Sequence, residues 1–137
     1  MKLYTYINFG GNCREAFDFY AEHLGGKITM MAKHEDQPNP ESVPANWKNA
    51  VMHARIEMGD TVLMGADIPP DRFKQMRSAY LTLLLSSDAE AERVYALLAD
   101  GGEIFMPMKE TFYASRFAML RDRFGTSWML MNETGAR

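Results

Sequence analysis

Cysteine is nearly absent from this chain: Cys13 is the only one. A single thiol excludes an internal disulfide and any cysteine-cluster metal site. Histidine is also scarce, with three in 137 residues. No apolar run reaches the length of a membrane span, and the N-terminal stretch lacks the apolar core of a secretory signal. Lysine and arginine form no run, and the formal net charge is −3. Nucleic acids and anionic membranes are recognised by a basic field, so neither is expected as a partner. With no address in the sequence, the expected location is cytoplasmic. Gly10-Gly11 and Gly25-Gly26 stand outside any GxGxxG or GxxxxGK[ST] context, so no phosphate-cradling loop is expected. Ser86, Ser87 and Ser127 lack the strand-Gly-x-Ser-x-Gly setting of a hydrolase nucleophile.

What is present is ordinary in bulk. Hydrophobic residues make up 47% and charged residues 24%, as in a soluble globular domain. The length suits one domain spanning residues 1–137. Methionine stands out, with 12 copies. Its flexible thioether fills irregular gaps or lines adaptable pockets, and both readings stay open.

The order of elements repeats. LYTYINF (Leu3 to Phe9) reads as a strand. After Gly10-Gly11, Asn12 and Glu15 have the spacing of a capping box, and Ala16, Phe17, Tyr20, Ala21 and Leu24 recur at helical period. Gly25-Gly26 stops that helix, and Lys27 to His34 forms a second strand. The proline-rich Glu35 to Asn49 is a loop, with Trp47 as an aromatic anchor near its end. Ala50 to Met58 alternates, putting Val51, His53, Arg55 and Glu57 on one face, and Gly59-Asp60 turns it into Thr61 to Ala66. A connector, 67–79, contains a double proline and a possible helical turn.

The second half begins with Tyr80 to Ser86, apolar enough to be covered on both faces. Ser87 and Glu90 repeat the capping box, and Gly101-Gly102 repeats the stop. Three strands close the chain, at Glu103 to Lys109, Arg116 to Arg121 and Thr126 to Asn132. GGKI and GGEI stand 76 residues apart, counted from Gly25 to Gly101. The expected architecture is therefore α+β: paired βαβββ modules, about 1–66 and about 80–137, forming a curved, mainly antiparallel, cup-shaped sheet with the helices on its convex side.

Three stretches carry a family resemblance: NFGGNCREAFDFYAEHLGGKI, VMHARIEMGDTVLMGAD and DRFGTSWMLMN. With the second helix they cover nearly the whole chain. The pattern resembles the vicinal oxygen chelate superfamily, which includes glyoxalase I, extradiol dioxygenases and bleomycin- and fosfomycin-resistance proteins. It looks closest to the PhnB-like branch. The resemblance implies a small-molecule cup and a homodimer. Metal-using members bind a divalent ion through His and Glu from the first and last strands of each half. Carried over to this chain, those positions fall on Thr5, Met64, Thr82 and Met129. Hydroxyls and thioethers are poor ligands for hard divalent metals, so neither a metal nor another cofactor is expected.

Of the histidines, His23 and His34 read as structural or solvated. His53, within the alternating strand, is either a hydrogen-bonded sheet residue or a ligand-facing general base, and it is the catalytic candidate. The expected ligand-binding set is Thr5, Met64, Thr82, Met129, Asn8, Trp47, Tyr113 and Arg116, largely apolar with a few polar points. Glu35 to Asn49 and Glu110 to Ser115 are candidate lids, and Asp67 stands where it can cap the connector or touch a ligand. Three functions follow. The first is a metal-free protein binding a small, partly apolar molecule. The second is a divalent-metal lyase, isomerase or dioxygenase using His53, Glu57 or Asp67. The third is an interaction protein with its cup filled by methionine. Members of the branch have been labelled ubiquinone-pathway methyltransferases, but nothing in this sequence points to methyl transfer.

Overall fold

The computed structural model describes residues 1–133. The chain divides into two compact units, Met1–Lys74 and the part from Gln75 onward. The division falls inside the expected connector. There the helical turn reduces to a single turn in which the N–H groups of Arg72 and Phe73 both donate to Pro69 O.

The first unit contains β1 (Thr5–Phe9), α1 (Cys13–Leu24), β2 (Lys27–Lys33), β3 (Val51–Met58) and β4 (Thr61–Asp67). Its four strands lie in the order β1-β4-β3-β2, with β1 and β4 parallel and the other neighbours antiparallel. The second unit contains β5 (Leu81–Leu84), α2 (Asp88–Ala99), β6 (Glu103–Thr111), β7 (Ala114–Arg121) and β8 (Ser127–Asn132). Its order, β5-β8-β7-β6, with β5 and β8 parallel, repeats the first. The paired βαβββ modules of an α+β fold are thus present as two four-stranded mixed sheets. The loop between β2 and β3 carries three single 3-10 turns, at His34–Asp36, Pro40–Ser42 and Ala45–Trp47.

Each sheet has a helix on one face. In the first unit Phe9 meets Phe17 of α1 edge-on, with ring centroids 6.0 Å apart, and Ile7, Ala54 and Ile56 are buried with them. Gly65 lies so close to Phe17 that a Cβ there would sit 3.1 Å from its ring. In the second unit Ala91, Val94 and Leu98 of α2 are buried, as are Ala118, Leu120, Trp128 and Leu130 of the sheet.

The double glycines stop both helices in related ways. Gly25 and Gly101 each have φ +75°, which L side chains resist: Gly25 is the left-handed cap of α1, whereas Gly101 follows the extended Asp100 in a turn closed by Gly102 N donating to Ala99 O at 2.9 Å. The second glycine is needed for space. A Cβ on Gly26 would lie 2.7 Å from Ile56 Cδ1, and one on Gly102 would strike the carbonyl oxygen of Arg121.

Two local expectations change. At the start of α1, Asn12 supplies no side-chain cap. The carboxylate of Asp67 serves that end of the helix, accepting from the N–H of Gly11 and of Cys13, each at 3.0 Å. At α2, Ser87 Oγ does accept from Glu90 N at 3.1 Å, while the Glu90 carboxylate pairs with Arg93. The strand expected to be covered on both faces, β5, is not covered within the described residues. Leu81 and Leu83 are half-buried, whereas Thr82 and Leu84 are exposed, Leu84 at 68%. An edge strand with a helix on one face buries only alternate residues.

Candidate functional site

Strand register assigns each candidate to a sheet face. In the first unit Tyr6 pairs with Met64, Met64 with Arg55, and Arg55 with Met30. Directly opposed residues share a face, so these four form one row across the side away from α1. Asn8 lies on the same side of β1, and His53 on the same side of β3. The His53 and Tyr6 rings are 5.8 Å apart, and the Arg55 guanidinium stands 5.3 Å from the Tyr4 ring centre. Partial burial, with a smaller contribution from Cys13, holds the Tyr6 phenol above its ordinary pKa. It is therefore a neutral hydroxyl beside His53. Glu57, farther along β3, lies 3.4 Å from Arg55 in an ion pair.

The second unit has a comparable row. Thr82 pairs with Met129, Met129 with Met119, and Met119 with Met106. Next to it, Leu84 pairs with Met131 and Met131 with Phe117. Tyr113, at the β6–β7 hairpin, packs its ring 5.4 Å from Phe117. The helix-free side of this sheet is thus rich in thioether and aromatic groups, with the Thr82 hydroxyl at its edge and, by the same register, Arg121 and Ser127 toward one end.

Two candidates lie on the other faces. Thr5 shares its strand side with Ile7 and Phe9, which pack toward α1. Its neighbour Tyr6 takes the helix-free position, a one-residue slip within the strand. Arg116 points to α2, where Nε donates to Glu92 at 2.9 Å and NH1 lies 3.5 Å from Asp88. Asp88 itself is held by Ser115 Oγ at 2.6 Å and by Asn132 Nδ2 at 2.9 Å. These two hydrogen bonds hold its carboxyl below the ordinary pKa.

Trp47 lies elsewhere again, on the wall of a cavity of about 320 Å³ in the first unit. Gly11, just before α1, and Arg14 and Glu15 of its first turn line it with Asn46, Asn49, Ala50 and Val51, and Asp67 completes the lining. Asp67 holds the surroundings together. Besides the two amides at the start of α1, it accepts from Val51 N at 2.9 Å. Its backbone oxygen lies 3.1 Å from His34 Nε2. His34 is therefore a tether for the loop. His23 sits against Phe19, with ring centroids 4.5 Å apart, and beside Glu22. Cys13 is fully buried. Burial first and the Asp67 carboxylate second push its thiol far above the ordinary range, and Arg14 opposes them only in part.

The superfamily's divalent metal finds no matching donors at the inherited positions. Met64 and Met129 offer thioethers, Thr82 a hydroxyl, and Thr5 faces the helix side. The other acidic and imidazole groups do not converge either. Glu57 is paired with Arg55, Asp67 binds backbone amides on the opposite face, and His53 stands by Tyr6. Among the described residues no three His, Cys, Asp or Glu side chains are grouped closely enough to hold an ion. No helix of the described residues is long and apolar enough to cross a membrane.

Two mixed sheets, each built as βαβββ with one helix behind it, define the α+β fold of the glyoxalase/bleomycin-resistance class. Within that class the chain belongs to the PhnB-like family described as 3-demethylubiquinone-9 3-methyltransferase, whose profile matches residues 1–131. It is 31% identical to Protein YjdN of Escherichia coli (strain K12), over 95% of this chain and 94% of that one. The solved structure of protein PA1353 from Pseudomonas aeruginosa is 41% identical, with a TM-score of 0.88 over 97% of this chain and 98% of the other. A PhnB protein from Bacillus cereus, described as a putative 3-demethylubiquinone-9 3-methyltransferase, shares the fold. Its TM-score is 0.81 at 23% identity, over 96% and 99% of the two chains.

Proposed function

We propose that this PhnB-like protein binds a small, partly apolar molecule on a helix-free sheet face without using a metal. One observation carries the reading. The rows Tyr6–Met64–Arg55–Met30 and Thr82–Met129–Met119–Met106 place thioethers, aromatics and single polar groups on the faces that the helices leave uncovered. Such a lining recognises apolar bodies with a few polar points, and methionine adapts to their shape. The protein acts as a cytoplasmic homodimer in this reading, and its net charge of −3 gives nucleic acid no attraction. Methyl transfer, named in the family's description, is not part of it, because the sequence has no glycine-rich motif for the methyl donor.

A second reading keeps the superfamily's chemistry, with His53 as base or ligand of a metal-dependent lyase, isomerase or dioxygenase. It is favoured by the half-buried His53 on the helix-free face, its ring tilted by 32° to that of Tyr6 at 5.8 Å. Metal content after incubation with Mn, Fe, Ni and Zn and desalting separates the two. The first reading expects well under one equivalent per chain, together with thermal stabilisation by members of an aromatic and aliphatic fragment set, since a ligand bound only by the native state raises stability. One tight equivalent, lost in His53→Ala, overturns it in favour of the second.

A further inference from the structure

The cavity beside Trp47 belongs to neither helix-free face. Asp67, on its wall, turns toward the start of α1, and all its lining residues lie in the first unit. Its volume, about 320 Å³, is at the small end of ligand pockets. That suits a molecule of amino-acid size.

The wall carries charge of both signs. Arg14 and Glu15 are consecutive residues of the first turn of α1. Adjacent helical residues diverge around the axis and do not face one another. Among the described residues neither forms an ion pair. Both line the cavity, so its wall includes one cationic and one anionic residue. Asn46 and Asn49 add amides, which donate or accept as required. Trp47 adds an indole to the wall; its Nε1 is buried and has no hydrogen-bond partner among the described residues. Asp67 is already committed to three backbone N–H groups.

We propose that this cavity is a binding site for a small zwitterion, a molecule with a carboxylate and an amine on one short frame, of the free α-amino acid class. The guanidinium of Arg14 matches a carboxylate in fork geometry. Glu15 takes the ammonium, and the indole of Trp47 offers a ring face to the same cation. A simple anion is disfavoured, because it would meet the carboxylates of Glu15 and Asp67 together. A simple cation would meet Arg14.

The test uses isotope-labelled full-length protein and the two indole N–H resonances. Trp47 is assigned by loss of its signal in Trp47→Phe, and the Trp128 indole, held by Asp122 at 2.8 Å, is the internal control. Common α-amino acids are added singly at millimolar concentration. At least one is expected to move the Trp47 resonance and leave that of Trp128 in place. Arg14→Gln weakens that binding about tenfold, the value of one charged hydrogen bond. Glu15→Gln weakens the amino acid but leaves its deaminated carboxylate analogue unchanged. The proposal is overturned if no amino acid moves the Trp47 signal, if both variants bind as the parent does, or if the deaminated analogue binds as tightly as the amino acid.

Discussion

Asp67 Oδ2 accepts a hydrogen bond from the backbone N–H of Val51 at 2.9 Å, while Oδ1 accepts from Gly11 and Cys13. One buried carboxylate at the end of β4 thus ties together the start of α1 and the start of β3. The second unit repeats the position with different chemistry. Asn132, the last residue of β8, donates to Asp88, the first residue of α2. In both units the final strand fixes the helix at its N-terminal end.

Replacing Asp67 therefore costs stability. Asp67→Ala leaves up to three backbone donors without an acceptor and is expected to destabilise by about 3 kcal/mol or more. Asp67→Asn keeps one carbonyl oxygen and is expected to cost less, about 1–3 kcal/mol. Urea unfolding of the two variants checks the order. Equal stability of Asp67→Ala and the parent would remove this role.

Cys13 is expected to be inert while the protein is folded. Its thiol is fully buried and its pKa is raised, so the thiolate is scarce and inaccessible at neutral pH. Labelling by a thiol-specific reagent should follow the rate of unfolding and accelerate with urea. Rapid labelling of the native protein would contradict the packing around α1.

Asp88 makes the second unit sensitive to acid. Ser115 and Asn132 hydrogen-bond its ionised form and lower its folded-state pKa. Its contribution is present above the unfolded carboxyl pKa and is lost as pH falls through the lower folded value. Ser115→Ala should raise the Asp88 pKa in a carboxyl NMR titration and move acid unfolding to higher pH. An unchanged titration would show that the Ser115 hydroxyl does not hold this carboxylate.

The paired glycines make a graded prediction. Gly102→Ala meets the backbone of Arg121 and is expected to cost about 3 kcal/mol. Gly26→Ala meets the ends of Ile56 and Met58, side chains that can turn aside, and is expected to cost about 1–2 kcal/mol. Thermal melts of both variants test the ranking, and equal losses would contradict it.

The parts legible in the sequence were those specified by neighbours along the chain. The double glycines mark both helix ends because a positive φ and a close approach are local demands. Ser87 caps α2 within three residues of its partner. Alternation in β3 separates His53, Arg55 and Glu57 from Ala54 and Ile56 without knowledge of the rest. Asp67 was not legible as the cap of α1, since its partner Cys13 is 54 residues away. Arg116 likewise reads as an open polar point until α2 brings Glu92 beneath it. Thr5 and Tyr6 differ by one register step, which composition cannot resolve. The Trp47 cavity joins α1 to a loop, and no spacing rule announces such a meeting.

The proposed binding of a small, partly apolar molecule to the helix-free sheet faces is open to a direct test. Methyl-labelled methionine reports on it directly, because methionines lie on both sides of the first sheet. Met30 and Met64 lie on the helix-free side, and Met31 and Met58 on the other. Met106, Met119, Met129 and Met131 mark the helix-free side of the second. Titration with the aromatic and aliphatic fragment set is expected to shift methyl signals from the helix-free group and leave Met31 and Met58 in place. Shifts confined to Met31 and Met58, or no shift with any fragment, would overturn the reading.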